Sequence, residues 1–381
     1  GRPKECDYCW RVEDDENNNF HSDRIQKSCA KFSIGDHDAI SEMSGIEDVY
    51  PRYLEVDFGR VCNFKCTYCG PDYSSIWAEE IKEHGHYKLP FKELYYGYNE
   101  TDNAHILQRE DNPYTDAFWQ WFPEAKKHLD TLRITGGEPL LSKHTFRVLE
   151  MLCENPEPEL ELSINSNANP PAKLWNKMIR LVNDLTQNNK IKKFTLYTSC
   201  EAFSGQAEYI RWGLDFELMQ QNVEQFLEQT HGTRVVFMTA FNVLSIPSFT
   251  DFLKYVLSLK KRFNYNGFMH WLENDMGINV QKELIQPSQP ELYKDAPMTS
   301  FKDRKENTKG KIFGRVGIDI PFVRYPDFLD AQIATRDLCI MMMKSADFMF
   351  RNLNSENWYD CLGFEEWECE KLNRIFRPIL F

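Results

Sequence analysis

The chain has 381 residues, 42% hydrophobic and 14% aromatic, long enough for one large domain with a smaller one beside it. Its 45 basic and 58 acidic residues leave a net charge of −13, which disfavours nonspecific binding to phosphate backbones, since that affinity rests on Lys and Arg. The 11 cysteines come with no signal-peptide pattern and no apolar run near the ~18 residues a membrane span needs. They are therefore read as reduced thiols serving metals in the cytoplasm rather than as disulfides.

The first segment, 1–48, opens with CDYCWRVEDDENNNFHSDR. Cys6 and Cys9 form a Cys-x-x-Cys pair, a metal or redox signal that two ligands alone do not close. Cys29 is a candidate third ligand, and a zinc knuckle or free thiols are the alternatives. A strand follows at YLEVDF (53–58), with Leu54, Val56 and Phe58 on one face. Next comes CNFKCTYC, in which Cys62, Cys66 and Cys69 are spaced Cys-x3-Cys-x2-Cys. Three thiolates on one short loop can hold three irons of a four-iron cluster and leave the fourth open for chemistry. The competing reading, a structural zinc site, wants four closed ligands; the histidines nearest to Cys69 are His84 and His86.

Helical stretches at 72–84 and 115–128 flank an irregular insert, 87–113, rich in Tyr, Asn and Asp. DTLRIT (130–135) alternates as a second strand and runs into Gly136, Gly137, Glu138 and Pro139. Two glycines let backbone approach a ligand or take positive φ, and Glu138 offers a carboxylate at the strand's C-terminal end, a natural partner for an amino group. A plain strand-to-helix turn is the alternative. Further strands are expected at ELELSI (159–164), FTLYTS (194–199), RVVFMT (234–239) and GFMHWL (267–272), with helices at 142–153, 171–187, 215–229 and 247–262. Asn165, Ser166 and Asn167 close the third strand, and Asn242 follows the fifth; Asn and Ser capping their own turn is the alternative there. Cys153 and Cys200 read as buried small hydrophobes.

Strands alternating with helices imply an α/β fold with a parallel sheet, its chemistry at the C-terminal strand ends. From about 276 the alternation stops. RVGIDIPFV (315–323) offers one more strand, and 327–375 reads as helical, carrying Cys339, Cys361 and Cys369.

CNFKCTYC and GGEP together resemble the radical SAM superfamily, whose signature is CxxxCxxC after the first barrel strand and GGE after the second. The resemblance implies a partial (β/α)6 TIM-like barrel over 49–275, a C-terminal extension over 276–381, and a [4Fe–4S] cluster on Cys62, Cys66 and Cys69. It further implies that S-adenosylmethionine chelates the open iron, with its amino group on Gly136, Gly137 and Glu138, its adenine along Tyr68 and its ribose near Asn165 and Asn167. TSCEAFSGQAEYIRWG resembles the SxDG…R stretch of peptide-modifying members, with Cys-Glu-Ala in place of x-Asp-Gly. That alignment gives Arg211 to the carboxylate of the cofactor; an exposed ion pair on a helix is the alternative. The N-terminal C-x-x-C-W-x-x-E…S-x-R run resembles the stretch before the core in members with a twitch or SPASM-type auxiliary domain. It implies a small cysteine-bearing auxiliary region and a second iron–sulfur cluster held partly by Cys6 and Cys9, with Cys339, Cys361 and Cys369 as further candidates.

The activity implied is hydrogen abstraction from a substrate, a peptide or protein being favoured, with flavodoxin or ferredoxin as electron donor. A radical SAM dehydrogenase of a small molecule, a nucleic-acid-modifying radical enzyme, and a non-catalytic iron–sulfur or zinc module are the rival readings.

Overall fold

The computed structural model describes residues 49–85, 111–264, 314–323, 326–354 and 362–380, with a few positions before 49. Six parallel strands form one sheet: β1 (Tyr53–Asp57), β3 (Thr131–Thr135), β4 (Glu157–Ser166), β5 (Ile191–Ser199), β7 (Thr233–Met238) and β8 (Val316–Asp319). They lie side by side in chain order, each parallel to the next. This is the α/β sheet expected of a partial barrel. Two short segments, β2 (Lys65–Cys66) and β6 (Arg211–Trp212), pair antiparallel at its rim.

Alternation along the strands separates two surfaces. Leu132, Ile134, Leu162, Ile164, Phe194, Leu196, Val235, Phe237, Val316 and Ile318 are all fully buried in the hydrophobic core. The intervening residues are largely polar: Arg133, Thr135, Ser163, Asn165, Thr195, Tyr197 and Arg234. The apolar surface meets helices whose sequences carry a matching stripe. In α4 (Ala172–Gln187) the buried residues are Trp175, Met178, Ile179, Val182 and Leu185, the spacing of one helical face.

Caps fix where the helices begin. Asn112 and Thr115 form a reciprocal capping box at the start of α2 (Pro113–Ala125). Ser142 caps α3 (Lys143–Glu154), and Asp215 caps α6 (Phe216–Gln229). Phe252, Leu253 and Val256 of α7 (Ile246–Leu259) are fully buried, and α7 packs on α8 (Arg336–Arg351), with Thr250 Oγ1 2.8 Å from Ser345 Oγ. The last helix, α9 (Glu366–Leu380), packs against α8 and β8.

The outermost strand comes from beyond the expected barrel segment. GFMHWL (267–272) lies outside the described residues, and the sheet takes its sixth strand from Val316–Asp319, in the segment expected to extend the barrel. Cys6, Cys29 and Cys361 lie outside the described residues as well, as does most of the 87–113 insert. No helix among the described residues is long and apolar enough to cross a membrane.

Candidate active site

The cysteine loop follows β1, and the GGEP turn follows β3, the neighbouring strand. Backbone joins the two. Gly137 N–H donates to Gly59 O at 3.1 Å and Glu138 N–H to Val61 O at 2.8 Å. A Cβ on Gly137 would stand 2.5 Å from Val61 O and 2.8 Å from the Arg60 carbonyl. Gly136 sits at φ +123°, where a Cβ would stand 2.5 Å from Asp57 Oδ1. Both glycines are thus required by the contact between the two loops, whatever else binds there. A third glycine does the same on the far side: a Cβ on Gly213, at φ +102°, would lie 2.6 Å from Asn63 O.

The loop itself is held from several directions. Trp77 of α1 (Ser75–His84) donates its indole N–H to Cys66 O at 2.9 Å, and Ser74, the cap of α1, donates to Phe64 O at 2.7 Å. Phe64 N–H points at Cys62 Sγ, 3.4 Å away. Asn63 donates to Asn169 O at 2.9 Å and accepts from Asn167 Nδ2 at 2.7 Å, tying the loop to the turn after β4. In that turn Ala168 takes a left-handed φ of 56°, with its carbonyl accepting from Asn222 Nδ2 at 2.9 Å.

The three thiols border one cavity of about 310 Å³, shared with Tyr68, Gly136, Gly137, Asn165, Asn167 and Arg211. Its size is in the range of small-molecule sites. All nine carry the sequence signals described above, and Thr135, Met238 and Ala240 also line the wall. Burial pushes the Cys62 thiol up to about 11 and those of Cys66 and Cys69 up to about 12. At neutral pH such thiols stay protonated unless a cation draws the proton off. Among the described residues no three Cys, His, Asp or Glu side chains gather on one point that could hold a single metal ion.

Glu138 sits differently from its neighbours. Its side chain does not line that cavity but a small adjoining pocket beside Phe58, Val61 and Thr145. Its Oε1 accepts from Leu140 N at 3.0 Å and Ser166 Oγ at 2.8 Å, and its Oε2 from Asn167 N at 2.7 Å. Burial still raises the carboxyl to about 7. Glu138 therefore joins the second and third strand ends, and Asn167 is part of that join.

Arg211 is neither helical nor exposed: it lies in β6, directly opposite Cys66, and is buried. Glu201 takes its guanidinium, with Nε 2.9 Å from Oε2 and Nη2 2.6 Å from the same oxygen. Arg211 Nη1 faces Cys66 Sγ at 3.7 Å, the Tyr68 ring lies 5.4 Å away, and Tyr68 OH is 3.4 Å from Glu201. The Cys-Glu-Ala run that departs from the family pattern thus supplies the counter-ion of Arg211. A buried arginine calls for a carboxylate, and Glu201, a polar residue of the same stretch, supplies it. Asn242 is buried as the cap of a 3₁₀ turn, outside the cavity wall. Cys200 is buried with its Sγ 3.2 Å from Ala202 O, and Cys153 is half-buried.

No protein-family model matches this chain, and no curated protein does. Among solved structures, the chain is similar to native anSMEcpe with bound AdoMet, at 14% identity and a TM-score of 0.29, over 58% of this chain and 61% of that one. It is also similar to Streptococcus suis SuiB bound to S-adenosylmethionine, at 11% identity and a TM-score of 0.38, over 85% of this chain and 63% of that one. SuiB bound to the precursor peptide SuiA gives 15% identity and a TM-score of 0.34, over 72% and 59%. The chain thus spans about three fifths of each of these proteins. Likenesses this loose do not carry a function.

Proposed function

We propose that the chain is a radical SAM enzyme that cleaves S-adenosylmethionine reductively and uses the resulting radical on a peptide or protein substrate. The observation that carries this reading is the convergence of Cys62, Cys66, Cys69, Gly136, Gly137 and Arg211 on one cavity. The donor set fits a [4Fe–4S] cluster. Three thiols that surround a space without meeting at a point suit a group in which each sulfur binds a different iron. When bound there, such a cluster would supply the electron for reductive cleavage of S-adenosylmethionine to methionine and a 5′-deoxyadenosyl radical.

The chain's own residues have separate tasks. Cys62, Cys66 and Cys69 would hold the irons. Gly136 and Gly137 bring backbone to the cavity wall, the position from which peptide groups can meet the amino group of the cofactor. Asn165 and Tyr68 present polar and aromatic surface for its ribose and adenine. Arg211 offers Nη1 toward the cavity while Glu201 holds the rest of its guanidinium. Glu138 and Asn167 support the site through the hydrogen bond that ties the GGEP turn to the end of β4. A second cluster on Cys6 and Cys9, and flavodoxin or ferredoxin as electron donor, belong to the same proposal.

Anaerobic reconstitution with iron and sulfide, followed by dithionite and S-adenosylmethionine, tests it. The expected product is 5′-deoxyadenosine, absent in Cys66→Ala. A chain that forms its cluster and yields none is not this enzyme. Iron content reports on the N-terminal pair: about four irons per chain means one cluster and about eight means two.

A further inference from the structure

The polar surface of the sheet continues well below the cavity. Register places Arg133, Ser163, Thr195 and Arg234 in one row across β3, β4, β5 and β7. It is the same surface that presents Thr135, Asn165, Ser199 and Met238 to the cavity above. At about 3.3 Å per residue, Arg234 lies roughly 13 Å along β7 from Met238.

Arg133 is engaged: its Nε donates to Asn165 Oδ1 at 3.1 Å and its guanidinium lies 4.8 Å from the Tyr197 ring. Arg234 is not. Its Nε is buried without a hydrogen-bond partner, and no carboxylate or carbonyl meets its guanidinium among the described residues. The side chain is nonetheless held in place. It lies over Gly317 of β8, where a Cβ would stand 2.7 Å from Nη2 and 3.5 Å from Nε. Gly317 is itself buried, so the cradle is part of the fold.

A partly buried guanidinium costs free energy unless an anion meets it. The contrast with the two buried arginines is plain: Arg211 has Glu201, and Arg315 donates to Leu227 O and Thr230 O at 2.7 and 2.8 Å. We propose that Arg234 is a carboxylate-binding residue in the floor of the barrel, anchoring an acidic group of the substrate. The planar fork suits a carboxylate bidentately. Thr195 puts a hydroxyl beside Arg234 in the same row, with Ser163 one strand further. Assigning the carboxylate to the substrate rests on the enzyme reading above. The anion site itself does not.

Thermal unfolding of the full chain, at constant ionic strength, separates the two. Acetate should raise the wild-type midpoint by roughly 2 °C at saturating concentration, while the neutral isostere acetamide leaves it unmoved. Arg234→Met should melt at or above the wild-type temperature without ligand, because it removes an uncompensated charge, and should lose the acetate shift. Gly317→Ala, which keeps the arginine but fills its cradle, should lose the shift too. A wild-type chain indifferent to acetate, or an acetate shift that survives Arg234→Met, overturns the proposal. Inorganic phosphate acting at tenfold lower concentration than acetate overturns the carboxylate assignment in favour of a phosphoryl group. None of these readouts needs cluster or cofactor, so failure to form 5′-deoxyadenosine would leave the anion site standing.

Discussion

Two buried ion pairs lie in different parts of the molecule, and they are built for different ends. At the outer strand β8, Lys260 donates to both oxygens of Glu368 at 3.0 and 2.8 Å. The same carboxylate also accepts from Ile318 N and Glu365 N, each at 2.8 Å. Every lone pair is occupied, and the pair fastens α9 to the last strand of the described sheet. At the cavity, Arg211 and Glu201 bind each other, yet one nitrogen of the guanidinium is left facing a cysteine sulfur. The first pair holds the fold together. The second presents a cation to a site.

Breaking either pair from one side should be severe. Glu368→Ala and Glu201→Ala each strand a buried cation, at a cost of about 3–5 kcal/mol, read from urea midpoints. The double replacements should then part company. Glu201→Leu with Arg211→Met swaps a pair for apolar volume and is expected to stay within about 1 kcal/mol of wild type, while forming no 5′-deoxyadenosine. Lys260→Met with Glu368→Leu still leaves the Ile318 and Glu365 amides without acceptors, costing about 1–3 kcal/mol for each. Equal stability of the two doubles would erase the distinction.

A third buried carboxyl lies between these cases, because it has donors but no cation. Glu138 is raised by burial from 4.5 to about 7, so the fold prefers it protonated. Its contribution is fully present below about pH 4.5 and is lost as pH rises through 7, amounting to about 3 kcal/mol. Unfolding free energies of wild type and Glu138→Gln, measured from pH 4 to 8, should differ in slope over that window. Parallel curves would mean that the three hydrogen bonds hold the carboxylate at its ordinary pKa.

The cavity wall was legible because its chemistry is local. Three cysteines within eight residues and two glycines after an alternating strand need no tertiary knowledge to be noticed. Five of the six strands were legible for the same reason, since period-two alternation is written in Leu54 and Val56, or Leu132 and Ile134. What sequence could not show is pairing at a distance. Glu201 and Arg211 are ten residues apart and meet only because β6 folds back on the cysteine loop. Gly213 and Asn63 look like ordinary loop residues until their contact is seen. RVGIDIPFV was legible as a strand too, but not its place in the sheet, which only the register of Val316–Asp319 with Val235–Met238 shows. The hydrogen bonds of Glu138 were hidden for the same reason: its partners Ser166 and Asn167 come from the end of the next strand.

Substitutions at the loop contacts are smaller probes of the same site. Gly137→Ala drives a Cβ into the Val61 and Arg60 carbonyls, and backbone has to move. An overpacking cost of about 1–3 kcal/mol is expected, together with a loss of cofactor cleavage larger than that cost implies, because the moving backbone is the cysteine loop. A variant that loses stability and retains full cleavage would show that the two loops can separate without disturbing the cavity.

The mildest test is Asn63→Ala. It removes one hydrogen bond to Asn169 O and one from Asn167, both at part-buried positions. Since each net hydrogen bond is worth about 0.5–1.5 kcal/mol, a loss of about 2 kcal/mol is expected, read from urea midpoints. Asn63→Asp separates them. The carboxylate keeps the bond from Asn167 Nδ2 but has no donor for Asn169 O, and it adds a negative charge beside three cysteines. If the amide serves only to tie the loop down, Asp should be intermediate in both stability and iron retention. If charge at this loop matters more than its anchoring, Asp will retain less iron than Ala despite greater stability. That inversion would separate the scaffold from the electrostatics at the cavity, the same division seen between the two ion pairs.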